Sequence, residues 1–129
     1  MSGDEISLTL PADDAFHSVV HLVLGGLAVR LDLTFENLED LELAIDTLLE
    51  RSTDSNDVTL VVRVLDGELQ AVVGPFDAVR AELEEGEDES LNLRRILDTV
   101  CDRVEIVDRE GRQWVELTKR IETVGNGKR

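Results

Sequence analysis

"VTLVVRVLDGELQAVV", residues 58–73, is β-branched or apolar along most of its length and is interrupted by Asp66-Gly67. An Asp-Gly pair accepts the positive φ angles of a type I′ turn, so two β-rich runs flanking it predict an antiparallel hairpin. The elements on either side decide what that hairpin belongs to.

Upstream, "EISLTL" (5–10) alternates polar and apolar residues, the pattern of a half-buried strand, and Pro11 ends it. Asp13 and Asp14 suit the start of a helix. Phe16, Val19, Val20, Val23, Leu24 and Leu27 then recur at helical spacing to about Arg30. Gly25-Gly26 weakens this helix by roughly 1 kcal/mol per glycine, a cost that close packing against another backbone would justify. Thr34 or Asn37 can cap a second helix running to about Glu50, with Leu38, Leu41, Ala44, Ile45, Leu48 and Leu49 inward. "RSTDSND" (51–57) breaks it.

Downstream of Gly74-Pro75, "RAELEEGEDES" (80–90) has the composition of an acidic loop. A third helix is expected over about 91–102, and "VEIVDREGRQWVELTKRI" (104–121) reads as a second hairpin turning near 109–112. "ETVGNGKR" (122–129) is a tail. Helices grouped among hairpins predict an α+β two-layer sandwich: a mixed, mostly antiparallel sheet with helices on one face. With 129 residues and no internal repeat, a single domain is expected over 1–129, its core at about 5–121.

Charged residues make up 33% of the chain and the net charge is −16. Such a field repels nucleic acid and anionic membrane surfaces, whose recognition depends on Lys and Arg. A basic protein partner is compatible with it, as is simple solubility. No apolar run reaches the ~18 residues of a membrane span, and the N-terminus lacks a signal peptide's basic and apolar regions, so a cytoplasmic location is the default. Cys101 is the only cysteine; it excludes an intrachain disulfide and sits at an apolar helical position. His17 and His21 share a helix face but have no third ligand nearby, so no metal site is expected. Trp114, the single tryptophan, lies in the last strand as a core or interface residue.

Three stretches carry a family resemblance: "LELAIDTLLER" (41–51), "VVGPFD" (72–77) and "LRRILDTVCDRVEI" (93–106). With the element order, they resemble the GHKL ATPase domain of histidine kinases and DNA gyrase. The branch most similar is that of the bacterial anti-sigma factor serine kinases. The resemblance implies that fold, a sigma factor or an antagonist protein as partner, and a homodimer formed through the first strand and first helix.

It also implies where nucleotide chemistry would lie. The family's N-box offers a glutamate that activates the attacking hydroxyl and, four residues on, an asparagine that binds Mg²⁺. Those places fall on Thr47 and Arg51, which otherwise read as ordinary helix-surface residues. Threonine is not a useful base, and arginine cannot ligate a cation. Asp46 and Glu50 are adjacent carboxylates, but each is rotated about 100° around the helix. The adenine-reading turn retains only Gly74; its aspartate would fall among Ala71 to Val73, and Asp77 comes too late. The phosphate-binding glycines fall on Leu91 and Leu93 or, shifted by one, on Ser90 and Asn92. The resemblance therefore implies a pseudo-ATPase with no catalytic residue and no cofactor. The alternative is a divergent active serine kinase that uses ATP and Mg²⁺, with Asp46 or Glu50 as base.

Overall fold

A computed structural model describes residues 5–11, 13–51, 57–77, 79 and 93–121. In chain order the elements are strand β1 (Glu5–Pro11), a 3-10 turn (Asp14–Phe16), helices α1 (His17–Leu31) and α2 (Phe35–Leu49), strands β2 (Asp57–Leu65) and β3 (Glu68–Phe76), helix α3 (Leu93–Val100), and strands β4 (Arg103–Arg109) and β5 (Arg112–Arg120).

Both hairpins turn where the sequence allows positive φ. Asp66 and Gly67 take φ of 53° and 80°, and Glu110 and Gly111 take 54° and 80°. These angles match the right-handed twist of the flanking strands. The five strands are ordered β1-β2-β3-β5-β4, and every pair is antiparallel. The sheet is thus more uniform than the mixed one expected: the two helices between β1 and β2 lead back to an antiparallel pairing, and β4 lies beyond β5 instead of beside β3. Register places Thr9 opposite Thr59, and their hydroxyls are 2.8 Å apart.

One face of the sheet forms the core floor. Val58, Leu60 and Val62 of β2, Leu69, Ala71 and Val73 of β3, and Val115 and Leu117 of β5 are buried there. The helices cover it with Val20, Leu24 and Leu27, with Leu41, Ala44, Ile45 and Leu48, and with Leu93, Leu97 and Val100. Of the expected stripes, Phe16, Val19, Val23 and Leu38 are only half-buried. Phe16 belongs to the 3-10 turn, where the helical stripe has not yet begun.

The helix ends have local causes. Phe16 N–H donates to the Asp13 carbonyl (2.9 Å) and Ala15 N–H to Asp13 Oδ1 (3.0 Å), which turns the chain into α1. Asp32 stops α1 in the left-handed region (φ 56°), and Leu33 N–H reaches back to the Ala28 carbonyl at 3.0 Å. Thr34, not Asn37, caps α2: its hydroxyl accepts the Asn37 N–H at 3.0 Å. α3 ends at Val100, before the 102 expected. Asp102 N–H already donates to the Thr118 carbonyl (2.8 Å), so strand pairing takes the backbone before another helical turn can form.

Candidate functional site

α2 carries the positions at issue. It has the sheet beneath it, α1 on one flank and α3 on the other, which leaves Glu36, Glu39 and Leu43 exposed on its outward side. Thr47 is 6% exposed, a buried residue rather than the helix-surface one expected. Its hydroxyl donates to the Leu43 carbonyl at 2.7 Å, a bond within its own helix. Arg51, one turn on, donates from Nη1 to the Thr47 carbonyl at 3.1 Å and lies 3.5 Å from Glu50 Oε1. The guanidinium therefore occupies the C-terminal end of α2, where it satisfies a carbonyl the helix leaves open.

The neighbouring carboxylates are placed differently. Asp46 faces α1, with Oδ2 and Oδ1 at 2.7 and 2.9 Å from His21 Nε2. His21 Nδ1 lies 3.9 Å from Glu42 Oε2. This bridge is what the shared face of His17 and His21 leads to: His21 ties α1 to α2. Glu50 is solvent-exposed at the end of α2. His17 lines an apolar cavity of about 20 Å³ with Leu10, Phe16, Ile45 and Leu49. That volume accommodates about one water, far less than a nucleotide. Among the described residues no three His, Cys, Asp or Glu side chains come together as a metal site.

Gly74 is not in a turn. It lies within β3, which continues to Phe76 with a register shift after Val73. A Cβ at Gly74 would stand 2.7 Å from Trp114 Cδ2 and 2.9 Å from Cγ, well inside carbon–carbon contact distance. The glycine makes room for the tryptophan ring, on the sheet face opposite the helices. Arg109 stacks over that ring, its Cζ 5.4 Å from the centroid. Asp77 lies 2.9 Å from Arg112 Nε, an ion pair in which the Nε–H is not aimed at the carboxylate. Leu93 opens α3 and is fully buried in the core. Leu91, with Ser90, Asn92 and the acidic stretch 80–90, lies outside the described residues.

The elements thus bring Thr47 and Arg51 together at the end of α2 and assign Gly74 and Leu93 to packing. One polar cluster has no counterpart in the sequence reading. Lys119 of β5 is largely buried and donates to the Val100 carbonyl at 2.9 Å and to Asp40 Oδ2 at 3.1 Å, which joins β5, α3 and α2. Beside it, burial pushes the Cys101 thiol from its ordinary value up to about 11, with Lys119 partly opposing. A lysine in an otherwise β-patterned strand was the available signal, but nothing in the sequence indicates which carbonyl it meets.

No family model matches the chain. It is similar to the serine-protein kinase RsbW of Bacillus mycoides strain KBAB4, with 22% identity over 92% of this chain and 86% of that protein. The RsbW of Bacillus cereus strain B4264 matches to the same extent. Among solved structures, that of the RsbU and RsbW domains of Rv1364c from Mycobacterium tuberculosis superposes with a TM-score of 0.70 at 16% identity. It covers 92% of this chain, which spans about a third (32%) of that longer one. The chain has the α+β fold of the histidine-kinase-like ATPases, in the form found in an RsbW domain.

Proposed function

We propose that the chain is a regulatory domain of anti-sigma-factor type that acts by binding protein and performs no nucleotide chemistry. One observation carries this reading. Both N-box positions are occupied by side chains committed to α2 itself: the Thr47 hydroxyl to the Leu43 carbonyl and the Arg51 guanidinium to the Thr47 carbonyl. A base must be free to accept a proton, and a Mg²⁺ site needs oxygen ligands instead of a fixed positive charge. Gly74 and Leu93 add support, because each is used for packing where the family needs close backbone approach to a nucleotide.

The partner is a sigma factor or the antagonist protein that displaces one, and the setting is the cytoplasm. Self-association into a homodimer falls to the first strand and first helix: β1, which among the described residues pairs with β2 alone, and α1. A divergent kinase would need Asp46 or Glu50 as base, yet Asp46 is held by His21 and Glu50 is exposed on a different face from Thr47.

The test combines purified sigma factors and antagonist proteins of the host with the chain. The reading expects a stable complex by size-exclusion chromatography and no transfer of labelled phosphate from ATP. Phosphate transfer would establish the kinase instead. Absence of any complex would remove the regulatory role.

A further inference from the structure

We draw no further inference here: the strongest candidate, the sheet face opposite the helices around Trp114, sets Glu5 beside Arg63 and Glu105 beside Arg103, so its charge selects no partner, and nothing in the structure shows what covers it.

Discussion

Gly74 shows how one residue's reading changes once its neighbour is known. As a glycine near the end of a strand it resembles the remnant of a nucleotide turn; in the fold it seats the only tryptophan. Gly74→Ala should cost about 1–3 kcal/mol, the range for forcing an extra carbon into a filled space, because the added Cβ overlaps Trp114 at 2.7 Å. Urea denaturation followed by Trp114 emission measures this directly, and the cost should largely vanish in a Trp114→Leu background. Cys101 gives a second residue-scale prediction. Its thiol ionises near 11 in the fold but near 9 when unfolded. The raised folded value means this contribution is fully present below pH 9 and is lost as pH rises from 9 through 11. Partial exposure limits the loss to about 1–2 kcal/mol. Comparing Cys101→Ala with wild type across that window isolates it from other groups: the variant should show a shallower fall in stability.

Elements were the most legible scale. Asp66-Gly67 located the first hairpin and the 109–112 segment the second, because type I′ geometry depends on a few local residues. The helical stripes located α1 and α2 for the same reason. Thr47 was misjudged because periodicity reports one buried face, whereas α2 is flanked by α1 and α3 as well as the sheet. The His21–Asp46 and Lys119–Asp40 pairs span 25 and 79 residues, and local pattern carries no information at that separation. These elements make unequal predictions. Thr34→Ala removes the α2 cap and should cost about 1 kcal/mol in urea midpoint analysis. His21→Ala breaks a half-exposed bridge and should cost less than about 1 kcal/mol. Lys119→Ala should cost about 3 kcal/mol, since it leaves Asp40 unpaired and the Val100 carbonyl without its donor. A His21 variant as damaging as the Lys119 variant would mean that the helix pair, not the β5 junction, holds the layers together.

On the scale of the whole molecule, the chain shares its fold with an RsbW domain, and on the proposed reading the positions that the family uses for nucleotide serve other contacts. Thr47 and Arg51 complete the end of α2, Gly74 accommodates Trp114, and Leu93 fills the core. The net charge of −16 adds a general repulsion toward a triphosphate. On that reading, each missing charge-assisted contact is worth roughly 1.5–3 kcal/mol, so two together weaken a micromolar site to about 0.2 mM or beyond. Arg51 could attract phosphate without Mg²⁺, so metal must be varied along with nucleotide. Isothermal titration calorimetry of the purified protein with ATP and ADP, with and without Mg²⁺, tests the central claim most directly. The account predicts no binding tighter than about 100 μM, roughly −5.5 kcal/mol, under any of the four conditions; a tighter dissociation constant in any of them would contradict it.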